Sequence, residues 1–91
     1  MMALLYEITA YSRRTGRLAT AYDVPRRRSR SVKEIAGVGP SDDGLGSYPL
    51  NADQVAEIAR LLKTPIECPD CDFFLEPFEQ PEHAIGRVSP A

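Results

Sequence analysis

Val55, Ile58, Ala59 and Leu62 fall at i, i+3, i+4 and i+7, and this spacing narrows the possible folds more than any other feature. Such a stripe lies along one face of a helix and must be buried against another element. Asn51 precedes it as an N-cap, and Gln54 stands three positions later, so free N–H groups at the helix start have side-chain acceptors. Asp53, Glu57, Arg60 and Lys63 make the polar face, with acids leading and bases closing, as the helix dipole favours. Thr64-Pro65 ends the helix.

The partner for that stripe is a sheet. From Leu4 to Tyr11 the chain alternates, with Leu4, Tyr6, Ile8 and Ala10 on one face and Glu7, Thr9 and Tyr11 on the other. A polar turn containing Gly16 follows, and Leu18, Tyr22 and Val24 resume the alternation up to Pro25, which predicts a β-hairpin. Phe73-Phe74-Leu75-Glu76 predicts a further short strand. Pro77 lacks a ladder donor, so this strand is expected to lie at a sheet edge or to end there. Tyr48-Pro49-Leu50 is a brief extended piece. Ser31-Val32-Lys33-Glu34 has capping-box spacing and predicts a short helix starting at Ser31; Gly37, Gly39 and Pro40 stop it, and Ser41 to Gly46 reads as a mobile loop.

The expected fold is α+β: a small antiparallel sheet, made of the N-terminal hairpin and a C-terminal strand, with one short and one longer helix packed on one face. Ninety-one residues suffice for one core. Residues 1–78 are expected to form a single domain and 79–91 a loosely ordered tail, which carries the sole histidine, His83, as a solvated residue. No apolar run reaches the roughly 18 residues of a membrane span. Two cysteines are too few for a secreted disulfide framework, so the expected location is the cytoplasm, with no membrane partner.

The order of elements resembles a family of small bacterial domains of unknown function. The residues that carry the resemblance are Arg13 to Leu18 in the hairpin turn, Ser47 to Leu50 before the second helix, and Asp72 to Glu76 in the last strand. The resemblance spans most of residues 4–78 and implies this element order, with no catalytic residue to carry over. Cys68, Cys71 and the Arg26 to Arg30 run are not part of its pattern.

Two constellations are candidates for chemistry. Arg26, Arg27, Arg28 and Arg30 precede the short helix, where guanidinium groups and free N–H groups could converge on an anion such as phosphate. A solvated connector is the favoured reading. No aromatic residue interleaves the run, so nucleic-acid binding is not expected. Cys68-Pro69-Asp70-Cys71 has the spacing of half a zinc site, or of a redox pair. Glu67, Asp70 and Asp72 disfavour a thiolate, and further ligands are lacking, so two ordinary thiols are expected, with no metal and no cofactor. Nucleotide-binding loops, nucleophile elbows and zincin motifs are absent, and nothing nominates a catalytic residue.

Charge is divided along the chain. Residues 1–36 hold eight Lys/Arg against three Asp/Glu, net +5, and residues 37–91 hold three against ten, net −7. The expected function is a non-enzymatic protein-interaction module, immunity-like or antitoxin-like, whose acidic half covers a basic surface of another protein; a second copy of the chain is the other candidate partner. Anion or nucleic-acid binding through the arginine run, and a dimer bridged by metal at Cys68 and Cys71, are the alternatives.

Overall fold

A computed structural model describes the backbone of residues 2–39 and 41–81, and the side chains of 5–39 and 41–78. The elements in chain order are β1 (Met2–Ser12), β2 (Leu18–Val24), a 3-10 turn (Arg26–Arg28), α1 (Ser29–Ala36), β3 (Tyr48–Leu50), α2 (Ala52–Leu62) and β4 (Cys71–Pro81). The four strands make one antiparallel sheet in the order β2-β1-β4-β3. With two helices, this is an α+β fold.

The core stands where alternation and helical spacing place it. Tyr6, Ile8, Val24, Leu50 and Leu75 share one sheet face by register, and they form a buried cluster with Val32 of α1 and with Val55 and Ile58 of α2. Ile8, Val32, Ile58 and Leu75 are fully buried. The cap of α2 is complete: the Gln54 N–H donates to Asn51 Oδ1 and the Asn51 N–H donates to Gln54 Oε1, both at 2.8 Å. Gln54 Nε2 also donates to the Ile35 carbonyl at 3.0 Å, so one residue caps α2 and ties it to α1.

Five expectations give way here. First, α1 starts at Ser29 and not at Ser31, and no side chain caps it. The turn before it runs straight into the helix, and the N–H groups of Arg28 and Ser29 donate to the carbonyls of Pro25 and Arg26. Backbone acceptors thus do the work assigned to a capping box.

Second, β4 is neither short nor at an edge; it pairs with β1 on one side and β3 on the other. Pro77 is tolerated because β3 stops at Tyr48, opposite Leu75, and asks for no ladder donor from Pro77 on that side. Third, the strand continues to Pro81, opposite Met2, so the expected tail boundary at residue 79 moves. Residues 82–91, His83 among them, lie outside the described residues.

Fourth, Leu18 does not join the core face. Ala10 is opposite Thr20 and Tyr11 is opposite Leu18, which leaves Ala19 as the extra residue of a bulge. Leu18 therefore shares the face of Tyr11 and is 53% exposed.

Fifth, the loop of residues 41–46 is pinned. The Tyr6 hydroxyl, itself buried, donates to the Gly44 carbonyl at 2.9 Å. Tyr48 donates to Asp42 Oδ1 at 2.6 Å, and the same oxygen accepts from the Gly44 N–H at 2.9 Å. Gly44 has φ +75° and lies against the Tyr6 hydroxyl, leaving no room for a Cβ.

Candidate functional site

The helices take one face of the sheet, and the residues that alternate with the core form the other. By register this outer face carries three cross-strand rows: Leu5 beside Phe78; Asp23, Glu7 and Glu76; and Ala21, Thr9, Phe74 and Pro49. Tyr11, Leu18 and Asp72 extend it toward the hairpin. No helix residue belongs to this face among the described residues. The Tyr11 and Phe74 rings meet edge to face with centroids 5.8 Å apart. Thr9 is only 2% exposed and its hydroxyl donates to the Phe74 carbonyl, so part of the face is closed over by its own side chains.

The middle row puts carboxylates on three successive strands. Residues directly opposite in an antiparallel pair have Cβ atoms about 4.5–5.5 Å apart, and like charges there oppose folding. Glu76 is held in place: Tyr11 donates to Oε1 at 3.1 Å and Ser47 donates to Oε2 at 2.9 Å. That bond, more than burial, pushes the Tyr11 hydroxyl pKa upward. Asp23 is exposed on the edge strand and has no ion-pair partner among the described residues. Sequence reading places Glu7 on the outward face of its strand. It cannot find the row, because alignment with Asp23 and Glu76 depends on pairing between distant segments.

The arginine run is placed at the opposite end of β2 from the hairpin turn. Arg26, Arg27 and Arg30 are exposed and Arg28 is half-buried, with no ion pair to any of them among the described residues. Because α1 begins at Ser29, Ser31 lies within its first turn and not at its cap, and the run leads directly into the helix. An ion pair at the other end of the hairpin, Arg13 Nε to Asp72 Oδ1 at 2.9 Å, clips the hairpin tip to the start of β4. The Arg13 N–H donates to the Asp70 carbonyl beside it.

Cys68 and Cys71 are joined as a disulfide, which corrects the expectation of two ordinary thiols. The turn through Pro69 and Asp70 brings their Cα atoms to 5.7 Å, inside the range a disulfide spans. Cys71 is buried opposite Ser12. Among the described residues, no group of three or more His, Cys, Asp or Glu is arranged to hold a metal ion.

An open groove of roughly 700 Å³ between α1 and α2 is lined by Ser31, Glu34, Ile35, Glu57, Arg60 and Leu61. All its charged side chains are exposed. Near the pinned loop, the bond from Tyr48 and then the one from the Gly44 N–H hold the Asp42 carboxyl below its ordinary pKa, while Tyr48 is raised by the same contact. This is a structural latch between exposed Asp42 and half-buried Tyr48. No helix among the described residues is long and apolar enough to cross a membrane.

Comparison with known proteins adds one finding. No curated protein and no solved structure matches the chain. A family model described as "Domain of unknown function (DUF7683)" matches residues 5–76, from β1 through the hairpin and both helices into β4. That span contains all three stretches on which the resemblance was drawn, and the chain belongs to this family of domains of unknown function.

Proposed function

We propose that the chain is a non-enzymatic protein-interaction module, immunity-like or antitoxin-like, that covers a basic surface of another protein with the outer face of its sheet. The observation that carries this reading is the Asp23, Glu7 and Glu76 row, flanked by apolar and aromatic residues on a face to which neither helix contributes. A row of like charge opposes folding, and a cationic partner relieves that opposition on binding. The flanking side chains Leu5, Phe74, Phe78 and Tyr11 supply the apolar contact that such interfaces need at their centre.

The test is affinity capture with the chain as bait, set against an Asp23→Lys/Glu76→Lys variant whose circular dichroism is unchanged. The expected result is a basic protein recovered by the wild type and lost by the variant. Equal recovery by both overturns the reading.

A second reading, anion or nucleic-acid binding, is favoured by the exposure of Arg26, Arg27 and Arg30 on consecutive turns. It differs in its measurement: labelled oligonucleotides titrated at about 0.15 M salt are expected to bind weakly and without sequence preference. A submicromolar, sequence-dependent Kd would put the arginine run ahead of the acidic row.

A further inference from the structure

The sheet has two edges, and the chain treats them differently. The β3 edge is three residues long with Pro49 at its centre, a standard obstacle to a further strand. The β2 edge is seven residues long and has neither proline nor lysine. Its bulge disturbs only the hairpin end, and from Thr20 to Val24 the ladder to β1 is regular. In that stretch alternate residues turn their N–H and C=O groups away from β1, where a fifth strand would find them.

We infer that the Thr20 to Val24 edge of β2 is a docking strand for an extended segment of a partner protein that alternates basic and apolar side chains. This builds on the reading of the chain as a binding module and adds a second element to it, the edge beside the outer face. A strand added to β2 becomes the next member of each cross-strand row. On the outer face its side chain stands beside exposed Asp23, which has no ion-pair partner among the described residues, so a lysine or arginine is favoured there over a further acid. On the helix side its neighbour is Tyr22, half-buried and packed against the core cluster, which favours an apolar side chain. Main-chain hydrogen bonds supply affinity and the two alternating faces supply selectivity.

A second copy of the chain does not fit the edge as well. Residues 18–24 read Leu-Ala-Thr-Ala-Tyr-Asp-Val, and a copy of β2 brings another Asp23 and no cation.

The experiment uses the full chain and three fluorescein-labelled peptides of roughly eight residues, a length that spans the edge. One alternates lysine and valine, one alternates glutamate and valine, and the third is the lysine peptide N-methylated at alternate residues. The lysine/valine peptide is expected to saturate the chain, with amide shifts in residues 20–24. The glutamate peptide should not bind, and N-methylation, which removes ladder donors, should weaken binding about tenfold or more. Asp23→Lys should weaken it to a similar degree while leaving the fold intact. Absence of saturable binding below about 1 mM overturns the inference, as does binding that ignores N-methylation. Sedimentation showing a dimer of the free chain that must dissociate before the peptide binds also overturns it, by making a second copy the occupant. If the peptides fail while capture through the acidic row succeeds, the edge assignment falls alone.

Discussion

Both faces of this sheet come from the same alternation along the same strands, and they resolve it in opposite ways. On the inner face, in the row Tyr22, Ile8, Leu75 and Tyr48, the two central residues are wholly buried in the core cluster with both helices and the two tyrosines pack against it. One strand position away, the outer face sets Asp23, Glu7 and Glu76 side by side and leaves Leu18 largely exposed. Inner-face residues are there because burying apolar area drives folding. The outer row sets like charges opposite one another, an arrangement that burial of apolar area does not account for, and on the proposed reading it serves a partner. Stability and binding can therefore be assigned to different faces, and that assignment can be attacked one residue at a time.

The largest effects belong to the inner face. Leu75→Ala and Ile58→Ala each empty a fully buried position, and each should cost about 2–5 kcal/mol. Leu18→Ala on the outer face should stay within roughly 0.5 kcal/mol, as for an ordinary surface change. Urea melts of the three variants decide this; a Leu18 variant as unstable as the Leu75 variant would mean that the outer face is also a core. Next comes the latch between the core and the loop of residues 41–46. Gly44→Ala must adopt positive φ and displace the Tyr6 hydroxyl, so it should cost about 1–3 kcal/mol. The same melts measure it, and a neutral result would detach the loop from the core.

Much of this division is legible in the sequence, and the rest is hidden for physical reasons. The α2 stripe and its cap are local: Asn51 and Gln54 recognise each other across three residues, and the structure reproduces both bonds. The alternation from Tyr6 to Ala10 is local too, and it names the inner face correctly. What stays hidden depends on how the strands pair. Pro77 argues for an edge only until β3 is known to stop at Tyr48. Leu18 looks like a core position until a bulge at Ala19 shifts its phase. The acidic row draws two members from the half of the chain with net +5, so summing charge along the sequence does not reveal it.

The tyrosines sharpen the contrast through pH. Tyr6 is raised above the ordinary tyrosine range chiefly by burial, with Asp42 and Asp43 adding to the shift. Tyr11 is raised chiefly by its bond to Glu76. A group whose folded pKa lies above its unfolded value stabilises the fold fully below the unfolded pKa, and that contribution is lost as pH rises through the folded one. Stability should therefore be level through pH 8–9 and fall above about 10, where unfolded tyrosine ionises. Tyr6→Phe removes the bond to Gly44 and should begin less stable, but its alkaline fall should be shallower. Denaturant melts across this range are the measurement, and parallel curves for the two proteins would take Tyr6 out of the alkaline response.

A small expected effect carries the most for the comparison, because its sign differs from the others. Asp23→Lys places a cation directly opposite Glu7 in the β1–β2 ladder, on an exposed edge position where no other ion pair is broken among the described residues. Exchanging a like-charge cross-strand pair for an opposite-charge pair should raise stability by about 0.2–1 kcal/mol. Salt should shrink the gain, since exposed charges are screened within about 10 Å at 0.1 M. The same substitution should abolish capture of a basic partner. A variant that folds better and binds worse would separate the two faces, showing that Asp23 is kept at the expense of the fold. If Asp23→Lys instead destabilises the chain by more than the Leu18 change does, then Asp23 supports the sheet, and the acidic row belongs to the fold rather than to a partner.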